Sequence, residues 1–225
     1  DGESAAGTGQ VVKPAARAPF LVISDIDDTI LLTGLTEGIA MVARTVLREA
    51  AQRKAIPGMA PLYRGLVRGL PTRSGRRRPE PTFFYVSTGS WSFYPLLHEF
   101  TDLRGFPQGP MFLTDWGPTH DRWFRSGQDH KRSSLELLAQ EFPGMKWLLI
   151  GDDGQHDESI YGDFAAEHPD KVAGVAIRQL SPGEAVLAGG RSKAEHEAGS
   201  AVPWFYSPDG AGLSKQLVAA GLLTL

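Results

Sequence analysis

The stretch Phe20-Leu21-Val22-Ile23-Ser24-Asp25-Ile26-Asp27-Asp28-Thr29 decides how the rest of the chain is read. Phe20 to Ser24 is a short apolar run closed by polar residues, and such a run predicts a buried strand. Three carboxylates, Asp25, Asp27 and Asp28, follow within four residues. Carboxylates this close repel one another and are costly to bury without a cation. An oxygen-rich group of this kind suits a hard divalent ion such as Mg²⁺. Open α/β sheets bind ligands outside the carboxyl ends of their strands, where this cluster would stand. The plainer reading makes Asp27 or Asp28 the cap of a following helix. The remaining chain decides between the two.

On either side of this stretch the chain alternates in period. Further strands are predicted at 82–86, 111–113, 147–150 and 172–177, each a short apolar run. Apolar residues at helical spacing predict helices at 36–54, 59–69, 91–103, 131–142, from the second acidic cluster to about 168, and at 213–222. Strands alternating with helices imply right-handed crossovers and a parallel sheet. The expected architecture is therefore α/β: a three-layer Rossmann-like domain over 19–225, with a mainly parallel five-stranded sheet and helices on both faces. Residues 1–18 are rich in Gly, Ala, Ser and Pro and read as a flexible linker. Residues 182–200 read as loop or weak helix, and Trp204-Phe205-Tyr206 as an apolar patch without an assigned type. Two loops stand out. One holds Arg73, Arg76, Arg77 and Arg78; the other, 118–129, holds Trp123 and Phe124 close after Trp116.

Composition narrows the function classes. Of the 225 residues, 41% are hydrophobic and 22% charged, which are globular values. The net charge of −3 argues against a protein that coats nucleic acid. Cysteine is absent, so disulfides, thiolate metal sites and a cysteine nucleophile are excluded. No stretch approaches the roughly 18 apolar residues of a membrane span. The first ten residues carry no basic and no apolar signal-peptide region. The expected location is the cytoplasm; a membrane-facing role for the arginine loop, the alternative to a plain solvated surface, would add peripheral contact at a membrane.

Four features stand at predicted strand ends or helix starts: Asp25/Asp27/Thr29, Ser87, Lys131 and Asp152/Asp153/Asp157. A parallel sheet brings all its strand ends to one edge, so they can converge. Phosphoryl transfer needs such a set: a nucleophile, a proton donor, a metal held by carboxylates, a hydroxyl for phosphoryl oxygens and a cation against the spreading charge. Lys131 at a helix start would oppose the helix dipole, which favours a functional over a structural reason for it. His120, His130 and His156 lack zinc-ligand spacing; His130, beside Lys131, is the candidate for a substrate contact.

In chain order these features resemble motifs I to IV of the haloacid dehalogenase-like (HAD) phosphatase superfamily. Asp25-x-Asp27-x-Thr29, Ser87 after a strand, Lys131 opening a helix, and Gly151-Asp152 with Asp157 match the four motifs. A narrower resemblance, over about 19–178, is to the catalytic domain of App1-type phosphatidate phosphatases. It rests on Ser24 to Ile30, Pro57-Gly58-Met59 with Leu62-Tyr63-Arg64, Tyr85-Val86-Ser87, Trp91 with Tyr94 to Leu97, Asp115-Trp116-Gly117, His130-Lys131, and Ile150-Gly151-Asp152 with Asp157 and Tyr161. Asp153 and the string Ser87-Thr88-Gly89-Ser90 depart from that family's usual pattern.

The resemblance implies roles. Asp25 is the nucleophile that forms an aspartyl-phosphate, and Asp27 protonates the leaving alkoxide and then activates water. Mg²⁺ is held by Asp25, the Asp27 carbonyl and Asp152, with Asp157 or Asp153 beside it. Ser87 and Lys131 bind phosphoryl oxygens, and Asp28 is a cap or turn residue. The implied substrate is phosphatidate. The same chemistry on a soluble phosphate ester and a catalytically quiet phosphate- or lipid-binding module are the alternatives.

Overall fold

The computed structural model describes residues 11–15, 17–32, 53–68, 79–115, 123–154, 156–187 and 201–224, with backbone alone at 123–126 and 186–187. The greater part of the predicted 36–54 helix, the arginine loop, Trp116 and His120 lie outside the described residues.

The elements are β1 (Leu21–Ser24), α1 (Met59–Arg68), β2 (Phe83–Ser90), α2 (Tyr94–Arg104), β3 (Met111–Thr114), α3 (Trp123–Glu141), β4 (Trp147–Asp152), α4 (Asp157–Glu167), β5 (Val172–Arg178), α5 (Pro182–Leu187), β6 (Trp204–Ser207) and α6 (Gly210–Ala219). A 3₁₀ turn, Trp91–Phe93, joins β2 to α2. The strands form a single sheet in the order β3-β2-β1-β4-β5-β6, and every pairing is parallel. The α/β fold stands as expected, but the sheet has six strands rather than five. The sixth is Trp204–Ser207, which pairs with Val175 to Arg178. An unbroken run of three aromatic residues carries no alternation by which to tell a strand from a buried patch.

Parallel sheets are covered on both faces, so their strands read as continuous apolar runs. Period-two alternation sorts the runs. Val22, Tyr85, Leu148, Ile150, Ala176 and Phe205 join one core, with Leu62 of α1, Phe100 of α2 and Leu213 of α6. Leu21, Ile23, Phe84, Val86, Leu149 and Val175 join the other, with Leu135 of α3 and Phe164 of α4. Gly210 fits α6 against the start of α1: a Cβ there would lie 2.3 Å from the Gly58 carbonyl oxygen, and its amide donates to the Pro57 carbonyl at 3.0 Å.

The strand order reverses between β1 and β4, since β1 to β3 run out to one side and β4 to β6 to the other. A crevice opens at such a switch point, at the carboxyl ends of the strands. Asp25 and Asp152 stand on its two walls, and the Asp25 amide donates to the Ile150 carbonyl at 2.9 Å.

Two boundaries correct the sequence reading. First, β2 continues to Ser90, so Ser87 lies within the strand rather than after it. Second, α3 begins at Trp123, so Lys131 sits in the helix interior and Trp123 and Phe124 are helical rather than loop. The polar run Ser126-Gly127-Gln128-Asp129 hid the continuity of that helix, because Gly and Asp weaken helical propensity without forbidding the helix. The dipole argument for Lys131 therefore falls, and its position is explained by its partners instead.

Candidate active site

Asp25 follows the last residue of β1 and is buried, at 1% exposure. Its backbone is held from below: the Ser24 hydroxyl donates to the Asp25 carbonyl at 2.5 Å. That hydroxyl also lies 2.6 Å from the hydroxyl of Tyr63 on α1. The next residues form a tight turn, in which the amides of Ile30 and Leu31 bond back to the Ile26 carbonyl. Asp28 takes φ = 52°, a left-handed conformation. Asp and Asn tolerate that region better than other side chains. Asp28 is a turn residue, as the sequence reading had it.

The opposite wall comes from β4. Gly151 is required there, because a Cβ would fall 2.6 Å from an Asp157 carboxylate oxygen. Asp152 accepts the Gly154 amide at 2.6 Å and the Thr29 hydroxyl at 3.5 Å, which ties the two acidic loops together. Asp157, fully buried at the start of α4, accepts the Asp152 amide at 3.4 Å.

Lys131 reaches this point from α3. Its ammonium donates to Asp25 Oδ1 at 2.6 Å and to Asp157 Oδ1 at 2.5 Å, and the side chain is almost entirely buried. One oxygen each from Asp25, Asp152 and Asp157 lies within 4.8 Å of the others. Three buried carboxylates thus share one buried ammonium. Burial pushes the Asp25 carboxyl well above the usual carboxylate range; Lys131 opposes this and the charges of Asp157, Asp152 and Asp27 add to it. Asp152 is raised in the same way, by burial first and then by Asp157, against Lys131 and the Gly154 amide. Burial alone would lower Lys131, but Asp157 and Asp25 outweigh it and hold the ammonium protonated. Asp25 Oδ2 is buried and has no hydrogen-bond partner among the described residues. Hard oxygen donors, surplus negative charge and an orphaned carboxylate oxygen together fit a hard divalent cation.

Asp27 stands apart from this group. It is half-buried, and its Oδ2 accepts the Ser87 hydroxyl at 2.8 Å. A bulge makes that contact. Between one register pair, Val86 with Phe112, and the next, Ser90 with Thr114, β2 takes four residue steps where β3 takes two. Bulges of this kind re-aim side chains beside functional sites. Ser87 Oγ also accepts the Gly89 amide at 2.9 Å.

The structure therefore gathers Asp25, Lys131, Asp152 and Asp157, and places Ser87 on Asp27. Asp153 turns away, with its Oδ1 accepting the Leu180 amide at 2.7 Å. His130 bonds to the Phe112 carbonyl at 3.2 Å, and His156 flanks the start of α4. Two residues escaped the sequence reading. Arg53 lies within electrostatic reach of Asp27; burial lowers its affinity for the proton and Asp27 opposes that. Arg178 ends β5 and is buried at the same edge. A charged residue directly after a buried strand was the available signal for it.

Fold and site together define a parallel α/β protein with a carboxylate–lysine centre at its topological switch point. Within that class, the family model for the catalytic domain of phosphatidate phosphatase APP1 matches residues 20–179, and the chain belongs to that family. It is 30% identical over 161 residues to "Phosphatidate phosphatase APP1" of Saccharomyces cerevisiae, covering 71% of this chain and 26% of that protein. It is 28% identical over 165 residues to an uncharacterized protein of Schizosaccharomyces pombe, covering 73% and 26%. The chain thus spans about a quarter of the length of these relatives. No solved structure matches it.

Proposed function

We propose that this domain is a HAD-type phosphomonoesterase that hydrolyses phosphatidate to diacylglycerol and phosphate. The observation that carries the reading is the unbonded Oδ2 of buried Asp25, set beside Lys131 and two further carboxylates. A carboxylate oxygen kept free of donors in a buried site is available to a phosphorus atom or a cation. A binding module has no need of one.

In this reading Asp25 attacks phosphorus, displaces the alkoxide and becomes an aspartyl-phosphate. Asp27, held by Ser87 at the rim of the site, gives the alkoxide its proton and then takes one from the water that releases phosphate. Lys131 keeps Asp25 oriented and supplies positive charge where phosphoryl oxygens gather. Asp25, the Asp27 carbonyl, Asp152 and Asp157 would hold Mg²⁺, which supplies Lewis-acid stabilisation of the phosphoryl charge.

The choice of phosphatidate rests on the yeast relative's name and on the surface beside the site. Among the described residues no helix is long and apolar enough to cross a membrane. Trp91 and Tyr94 follow β2 at the catalytic edge, 46% and 39% exposed with ring centroids 6.1 Å apart. Exposed Trp and Tyr suit a membrane interface, where one end of the ring is apolar and the other wet. The test is phosphate release from a panel of lipid and soluble phosphate esters, with Mg²⁺ and with a chelator. Mg²⁺-dependent release that is fastest from phosphatidate is expected. Release from soluble esters alone would move the domain to the soluble-ester alternative, and no release from any ester would leave only the binding module.

A further inference from the structure

Arg178 is a buried charged residue at this edge that the proposed chemistry does not use. It ends β5, two strands away from Asp25, and is buried at 4% exposure. Its backbone belongs to the second acidic loop: it pairs in register with Asp152, and its carbonyl accepts the Asp153 amide at 3.1 Å. Its side chain belongs to the first. Nη1 donates to the Asp28 carbonyl at 2.9 Å across 150 residues of sequence. Nη2 pairs with Glu184 at 2.5 Å, and Nε lies 3.4 Å from the Pro208 carbonyl.

The Asp28 carbonyl is a telling place for such a contact. Asp28 holds the left-handed φ of 52°, and a strained non-glycine residue persists only where its surroundings over-determine it. Asp27 immediately precedes it, and the Asp28–Thr29 peptide that Arg178 grips fixes the turn from which the Asp27 side chain projects. The guanidinium offers several donors in a planar fork, which lets one buried side chain hold three partners at once. Glu184 is itself held in place: Ser181 donates its amide to it at 2.7 Å. Burial would raise the Glu184 carboxyl, but Arg178 and Ser181 outweigh it and keep it anionic.

We infer that Arg178, braced by Glu184, is a positioning residue that sets the Asp27 carboxylate for proton transfer to the leaving group. The inference rests on the phosphomonoesterase reading above. It separates from a merely structural role through the leaving group. An aryl phosphate departs as a stabilised phenolate and needs little help from a general acid, whereas an alkyl phosphate needs the proton. A loss of folded protein lowers both rates alike.

The experiment compares the single-turnover rate of leaving-group release, which precedes hydrolysis of the aspartyl-phosphate, from p-nitrophenyl phosphate and from dioctanoyl phosphatidate, using wild-type protein, Arg178→Met, Arg178→Lys, Glu184→Gln and Asp27→Asn as the reference for a lost general acid. Arg178→Met is expected to lower the single-turnover rate on the phosphatidate by about 10–100-fold, the scale on which misplaced groups cost rate. Its single-turnover rate on the aryl ester is expected to stay within about threefold of wild type, since that leaving group departs without the proton. Arg178→Lys, which keeps one donor for the Asp28 carbonyl, is expected to recover part of the loss, and Glu184→Gln to show the same pattern more weakly. Equal losses on both esters, or none on either, would overturn the inference. Should Arg178→Met not fold, Arg178→Lys and Glu184→Gln carry the same comparison, and equal losses in them would overturn it too. A wild-type protein that releases phosphate from neither ester would instead refute the phosphomonoesterase reading.

Discussion

The two acidic loops at the switch point are built from the same residue type and differ in how their carboxylates are used. After β4, both Asp152 oxygens accept hydrogen bonds, Asp153 accepts the Leu180 amide, and Asp157 takes Lys131 on one oxygen and the Asp152 amide on the other. After β1, Asp25 has one oxygen on Lys131 and the other without a hydrogen-bond partner among the described residues, while Asp27 sits at the rim, where its Oδ2 accepts the Ser87 hydroxyl from a bulged strand. The β4 loop is a frame that is nearly complete in itself. The β1 loop is left incomplete, and the incomplete loop is where a substrate or a cation has something to bind.

The comparison predicts opposite consequences for matched substitutions. Asp25→Asn keeps shape but removes the proposed nucleophile, so turnover should fall by orders of magnitude; enzymatic accelerations of phosphate-monoester hydrolysis reach ~10²¹-fold. Thermal denaturation should find the variant folded. A folded Asp25→Asn protein with near wild-type activity would break the distinction between the loops.

Lys131→Met strikes the link between them. It leaves Asp25 and Asp157 without their shared cation, and breaking a buried pair from one side costs about 3–5 kcal/mol. Chemical denaturation at neutral pH should show a loss of that order. A loss below about 1 kcal/mol, the scale of an exposed pair, would mean that the loops are not joined through the lysine.

The third test uses pH. Asp25 and Asp152 are raised in the folded state, against about 3.9 for an unfolded Asp. The folded protein then binds more protons than the unfolded chain between those values, so metal-free stability falls as pH rises through the raised values. A cation that prefers the ionised carboxylates offsets this. Saturating Mg²⁺ should therefore raise Tm by a few degrees at pH 8, the shift about 1 kcal/mol brings in a domain of this size, and by less at pH 5. A shift that is larger at pH 5, or absent at both, would refute the cation site.

The smallest effect is expected at the surface. Replacing Trp91 and Tyr94 with Ala should lower turnover of phosphatidate in anionic vesicles severalfold, since such a ring pair contributes on the scale of about 1 kcal/mol. Turnover of a soluble ester should be unchanged. Equal loss on both would assign the rings to packing.

Much of this site was legible before the fold, for a topological reason. Asp25, Ser87 and Asp152 carry chemistry at or near the ends of apolar runs, and a parallel sheet sends such ends to one edge. What was missed has physical reasons too. β6 is four residues of mostly aromatic sequence with no period to read. Lys131 was placed at a helix start because glycine and polar residues obscured the two turns of α3 that precede it. The bulge that turns Ser87 onto Asp27 is a property of pairing between strands, not of either strand alone. Arg178 looks like any polar residue that ends a strand until its contact with Asp28, far away in the chain, is seen.

The most direct measurement asks whether Asp25 itself carries the phosphoryl group. Wild-type protein and Asp27→Asn would be mixed with Mg²⁺ and p-nitrophenyl phosphate, quenched in acid within one turnover, digested and mapped by mass spectrometry. The account predicts one phosphoryl group on the peptide containing Asp25, held longer in Asp27→Asn because the water that should release it is no longer activated. Turnover with the phosphoryl group on a different residue, or on none in either protein, would contradict it.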